Sequence, residues 1–181
     1  MDDCVDGYKA LLDQGFKPEH IVVAGDSCGG GLSTSVPLAA IQRGLPKPAA
    51  SISLSPWYDL TGSGASMTEN AENDVLNTVP FVEVIANRYV AGGTSREHPL
   101  VSPLFADLKD LPPHWISCGG YDMLRDQGVA LADKAKKAGV EVVLEVHEGQ
   151  QHVMEFMAGN APEADGSLRR IGEWVRKKIG S

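Results

Sequence analysis

Apolar positions along the chain change their period several times, and each change marks an element. Between residues 2 and 14, Cys4, Val5, Tyr8, Leu11 and Leu12 recur at helical spacing, which predicts an amphipathic helix stopped at Gly15. Ile21–Ala24 is a short continuous apolar run and reads as a buried strand. After a cluster of glycines, "LSTSVPLAAIQRG" predicts a helix ending near Gly44, with Pro37 expected to kink it or mark its irregular part. "AASISLSPW" predicts a second buried strand over 49–55, stopped by Pro56. Residues 60–79 are rich in Ser, Thr, Asn and Gly, have no clean period and read as loop. A helix over 80–90 with proline in its first turn follows, then more loop to 113. "HWISC" (114–118) reads as a strand, 122–138 as a helix with Leu131, Ala135 and Ala138 on one side, and 140–146 as a strand. Leu168, Ile171, Trp174, Val175 and Ile179 mark a closing amphipathic helix.

Strands that alternate with helices imply a mostly parallel sheet covered on both faces, an α/β class fold of three layers, α/β/α. No repeat, low-complexity tract or linker divides the chain, so residues 1–181 are expected to form a single domain. The segment 60–113 is the one long irregular stretch, expected to be a cap-like insertion over a site.

Composition narrows the function classes. A formal charge of −8 without a basic cluster argues against nucleic acid or an anionic membrane surface as partner. No run approaches 18 apolar residues, so no membrane span is expected. Cys4, Cys28 and Cys118 form no paired framework and lack metal spacing. Reduced thiols and the acidic start "MDDCVDGYKA", with no signal-peptide pattern, lead to the expectation of a cytoplasmic protein.

Chemistry concentrates at the glycine cluster. "GDSCG" matches G-x-S-x-G at Gly25, Ser27 and Gly29, with a strand before and a helix after. In such a turn the serine hydroxyl stands clear of the sheet, and glycines two residues either side remove collisions. The bare pattern is weak evidence, and its plain alternative is an ordinary tight turn between strand and helix. A serine needs a base to take its proton. His20 precedes the same strand and so belongs to its other end; His98 and His114 lie in proline-bounded segments; His147 ends a strand. His152 follows the carboxyl end of the last strand, where open α/β sheets bind ligands, and is the expected base. Of Asp122 and Asp126, the former is nearer its strand end and is the expected orienting acid, whereas Asp126 suits the start of the next helix. Ser, Asp, His is the chain order of the α/β-hydrolases.

"HIVVAGDSCGGGL", "SPWYDL", "HPLVSPLFADLKDLPP", "GGYDMLRDQG" and "EGQQHVMEF" together resemble the hormone-sensitive-lipase-like branch of the α/β-hydrolases, also called the fold-3 esterases. The resemblance implies Ser27 as nucleophile, Asp122 as acid, His152 as base and the Cys28 backbone N–H as an oxyanion donor. It implies structural roles for Trp57 and Asp59, no cofactor and no metal, and a small acyl ester with a short acyl chain as substrate. The Cys28 side chain reads as a small packed residue, with a reactive thiol as the other reading. Met67, Phe81, Val82, Ile85 and Met154 are the candidate lining of an acyl site, with plain core packing as their alternative.

The sequence departs from that family in having no "HGG" loop and in beginning where the family already has strands and cap helices. The expectation is a C-terminal portion of a longer esterase, or a naturally short one, with a partial α/β-hydrolase fold. Its strand 21–24 then becomes a bare sheet edge, expected to be covered by a second copy in a homodimer or other homo-oligomer. Two function classes stay open: a carboxylic-ester hydrolase, and a catalytically feeble relative that serves as an assembly or binding module.

Overall fold

A computed structural model describes residues 1–180. Four strands, β1 (Val22–Asp26), β2 (Ala50–Leu54), β3 (His114–Gly119) and β4 (Val142–His147), form one sheet in the order β1-β2-β3-β4, every neighbouring pair parallel. Burial follows this order. The central β3 is buried at all six positions, whereas the edge strands β1 and β4 carry half-buried residues.

The helices are α1 (Asp2–Asp13), α2 (Cys28–Gln42), α3 (Ser66–Glu69), α4 (Val79–Tyr89), α5 (Arg125–Lys137) and α6 (Pro162–Ile179). Side chains alternate across the sheet with period two. Ile116 and Cys118 pack with Leu38 of α2 and with Leu131, Ala132 and Ala135 of α5 on one face. Ala50, Ile52 and Trp115 pack with Ile171 and Trp174 of α6 on the other. The layers are those the alternation of elements predicts. Outside α2, α1 docks through Val5 and Tyr8, while Cys4 and Leu11 on the expected buried face stay exposed.

Four local expectations need correction. The second helix starts at Cys28, so Gly29, Gly30 and Gly31 are helical. The helix runs unbroken through Pro37, its neighbours buried on all sides, so packing offsets the lost hydrogen bond. The 60–79 stretch contains the single turn α3, too short for any period to reveal. The fifth helix begins at Arg125, which leaves 120–124 as a loop beyond β3.

A Cβ at Gly25 would lie 2.2 Å from the Gly29 carbonyl oxygen, whereas a Cβ at Gly29 itself meets nothing. The collision that glycine avoids is therefore the strand-side one. Gly25→Ala is expected to destabilise the chain by about 1–3 kcal/mol, as backbone overpacking does. Gly29→Ala, in a helix with open space, is expected to leave the urea midpoint equal or higher. Equal destabilisation by the two changes in urea melts would contradict this geometry.

Candidate active site

All four strands run the same way, so the turns after β1, β3 and β4 meet at one rim of the sheet. Ser27 sits in the first turn at φ 52° and ψ −117°, a conformation that costs a residue with a side chain about 1–3 kcal/mol. Tertiary bonds hold it there. Its amide donates to the Leu54 carbonyl at 2.9 Å, and its carbonyl accepts from Gly31 N at 3.2 Å and Trp57 N at 3.0 Å. The next residue, Cys28, is the first of α2, so its N–H lacks an intrahelical acceptor and lies at the positive end of the helix dipole.

Asp122 and His152 meet directly. His152 Nδ1 lies 2.9 Å from Asp122 Oδ2, both side chains being buried. Asp122 Oδ1 accepts from Leu124 N at 2.8 Å, which fixes the rotation of the carboxyl group. Burial pulls the His152 pKa down, but the hydrogen bond and charge of Asp122, with the charges of Asp74 and Asp26, outweigh it and leave the pKa raised above 6.5. A base must be neutral to accept a proton, so if His152 serves as the base of a hydrolytic reaction, that reaction is expected to rise with pH through a midpoint above 6.5. A kcat/KM profile whose acid limb lies below 6.5 would contradict this arrangement.

The histidine loop is anchored under strain. Val153 is left-handed at φ 50° and ψ 52°, unusual for a β-branched residue. Its amide donates to the hydroxyl of Ser55 at 2.8 Å, and Ser55 is itself buried at φ 44°. Ser27, Ser55 and Val153 are the non-glycine residues with positive φ among those described, and each lies just past a strand or beside His152. Glu155, also buried, accepts from Ser117 and Ser167 and ties the same loop to β3 and α6. Nothing in the sequence pattern singles out Ser55 or Glu155.

A serine–histidine contact exists in the interior, Ser53 Oγ to His114 Nε2 at 2.8 Å, joined by Thr34 and the Tyr58 hydroxyl. His114 is fully buried, no carboxylate among the described residues pairs with it, and burial pushes its pKa down to about 3. It is neutral at ordinary pH and satisfies core polar groups. Asp126 takes the place expected for it, in the first turn of α5, where its carboxylate accepts from Ser66 N at 2.9 Å. Asp59 is wholly buried and accepts from Thr61 and Ser63, while Trp57 Nε1 donates to the Asp59 carbonyl at 2.9 Å.

Of the candidate acyl-site residues, Ile85 lines an apolar pocket of about 410 Å³, part of it open to solvent, together with Cys28, Leu32, Trp57, Leu60 and Tyr89. Met67 and Val82 pack into a buried cluster with Trp57 and Leu60. Met154 is buried beside His152, and Phe81 is 53% exposed on the outer side of α4. No helix of the described residues is long and apolar enough to cross a membrane.

Residues 1–156 match the family model described as the alpha/beta hydrolase fold. The chain is 37% identical over 180 residues to an acetyl-hydrolase of Streptomyces hygroscopicus, covering 99% of this chain and 60% of that protein. It superposes on the crystal structure of EstE5 with a TM-score of 0.94 at 40% identity, covering 98% of this chain and 60% of the other. An esterase from the bacterial hormone-sensitive lipase family gives a TM-score of 0.92 at 42% identity, with 95% and 58% covered. The chain thus spans about three-fifths of the length of these relatives.

Proposed function

The chain belongs to the α/β-hydrolase family, in its hormone-sensitive-lipase-like branch, and on that footing we propose that it carries the catalytic triad of a carboxylic-ester hydrolase. The observation that carries the proposal is the 2.9 Å bond between buried His152 and Asp122 at the same rim as the strained Ser27 turn. Ser27 Oγ attacks the acyl carbon while His152 Nε2 takes its proton. The Cys28 N–H donates to the oxyanion. His152 returns the proton to the leaving alcohol, and water, activated by the same base, releases the acid from the acyl-enzyme. Asp122 keeps Nδ1 protonated and stabilises the imidazolium that forms between these steps.

The apolar lining beside Cys28 supports an uncharged acyl group, and the names of the relatives, acetyl-hydrolase and esterase, support a short one. The test is hydrolysis of p-nitrophenyl acetate, butyrate and laurate by the purified chain beside His152→Ala. The proposal expects acetate and butyrate to be cleaved faster than laurate. Rates no higher than those of His152→Ala would refute it.

The reading extends to assembly. β1 is an open edge of the sheet, bordered by an apolar groove that includes Tyr8, Val23 and Leu32, and a second copy pairing there would cover it. Light scattering at micromolar concentration is expected to give a dimer mass; a monodisperse monomer removes this part.

A further inference from the structure

The segment from Asn70 to Asn77, between α3 and α4, binds both loops that carry the acid and the base. Asn70 Nδ2 donates to the carbonyls of Gly120 at 3.0 Å and Asp122 at 2.9 Å. Gln151, next to His152, accepts from Val75 N at 3.1 Å and donates to the Asn73 carbonyl at 2.9 Å. Between these two clamps lies Asp74, buried at 6% exposure. Its Oδ1 accepts from Leu76 N at 2.9 Å and Asn77 N at 2.8 Å. Its Oδ2 accepts from Met123 N at 3.0 Å and Asn77 Nδ2 at 3.1 Å. Met123 directly follows Asp122 in the chain.

We propose that Asp74 is a positioning residue of the hydrolytic site: its carboxylate fixes the 70–77 segment as a strut between the acid loop and the histidine loop and so keeps Asp122 and His152 in register. The proposal rests on the reading of these two residues as acid and base. A carboxylate has about four acceptor positions, and four donors fill them here, three of them backbone N–H groups. No neutral side chain of this size can match that set. An asparagine must turn its NH₂ toward either Leu76 and Asn77 or Met123, leaving donors facing donors in a buried site. The strut then loses its hold on its own turn or on the acid loop. The anion has a second effect, since it favours a positive charge on His152.

Several charges face that imidazole or its loop. Asp122 comes from the acid loop, Asp74 from the strut and Asp26 from the end of β1. The nearby Arg125 is engaged by Asp126 at 2.9 Å and Glu69 at 3.5 Å, and it donates to the Gly120 carbonyl at 3.2 Å. Glu155 on the histidine loop is held by Ser117 and Ser167, and His147 Nε2 lies 3.1 Å from Ser117 Oγ. Removing Asp74 therefore takes one of three carboxylates from around His152.

The test compares Asp74→Asn with the parent chain, by kinetics and by proton NMR of the His152 ring on a Ser27→Ala background. The variant is expected to lose on the order of 10–100-fold in kcat, the scale of a small misplacement of catalytic groups, with KM changed much less. Its His152 titration midpoint is expected to move down, and the downfield Nδ1–H signal of the protonated ring to weaken. A variant that keeps the native circular dichroism, the midpoint and that signal overturns the proposal. Should Asp74→Asn not fold, Asp74→Ser gives the same readouts, and failure of both to fold overturns the proposal in favour of a general stability role. Because the titration needs no turnover, a chain that cleaves no ester still reports whether Asp74 is coupled to His152.

Discussion

Asp122→Asn is expected to lower kcat for p-nitrophenyl acetate by about 10⁴-fold while the folded structure persists. Asp122 is wholly buried, and its two oxygens have different tasks. Oδ1 accepts from Leu124 N and Oδ2 from His152 Nδ1. An asparagine that keeps its oxygen on Leu124 N presents an NH₂ group to His152. Nδ1 must then act as acceptor, the ring proton moves to Nε2, and the nitrogen that should take the Ser27 proton already carries one. The variant also lacks the negative charge that steadies the imidazolium. Both losses act in the transition state, so KM is expected to change little. A loss smaller than tenfold, with native circular dichroism, would show that Asp122 is not the orienting acid.

Ser27→Ala is expected to reduce kcat by about 10⁶-fold, to the level left by binding and oxyanion contacts. In the proposed mechanism the hydroxyl is the group that forms the acyl bond. Stability is expected to hold, because alanine meets the same strain at φ 52° as serine does. Ser27→Gly separates the two properties. It is equally inactive but relieves the strain, so it is expected to be more stable than the parent by about 1–3 kcal/mol. Urea melts of the three chains measure this. A glycine variant less stable than serine would mean that the turn is not strained.

The strands were legible because each is a short apolar run that ends at Gly, Pro or a polar residue, and the observed bounds fall within two residues of the expected ones at either end. Their parallel order brings Ser27, Asp122 and His152 to one rim, which is why chain order alone could suggest the Asp122–His152 pairing. The start of α2 was less legible. Glycine has poor helix propensity, yet Gly30 and Gly31 are helical, and they are glycine because a Cβ there would strike Pro56 and the Trp57 carbonyl. Asp74, Asn70 and Ser55 were not legible at all. Their decisive partners, Met123, Asp122 and Val153, lie 49, 52 and 98 residues away, and local pattern says nothing of such pairs. The candidate acyl-site residues show the limit of hydrophobicity as a guide. Ile85 and Phe81 are both apolar and both on α4, but one faces the pocket beside Cys28 and the other faces solvent.

The central claim is that Ser27 is activated by the His152–Asp122 pair. Labelling with a fluorophosphonate probe, followed by intact mass and peptide mapping, tests it without any assumption about substrate. One adduct on Ser27 in the parent chain, absent from Ser27→Ala and His152→Ala, is the predicted result. No adduct on a folded parent chain, or one that persists at Ser27 in His152→Ala, would contradict the account.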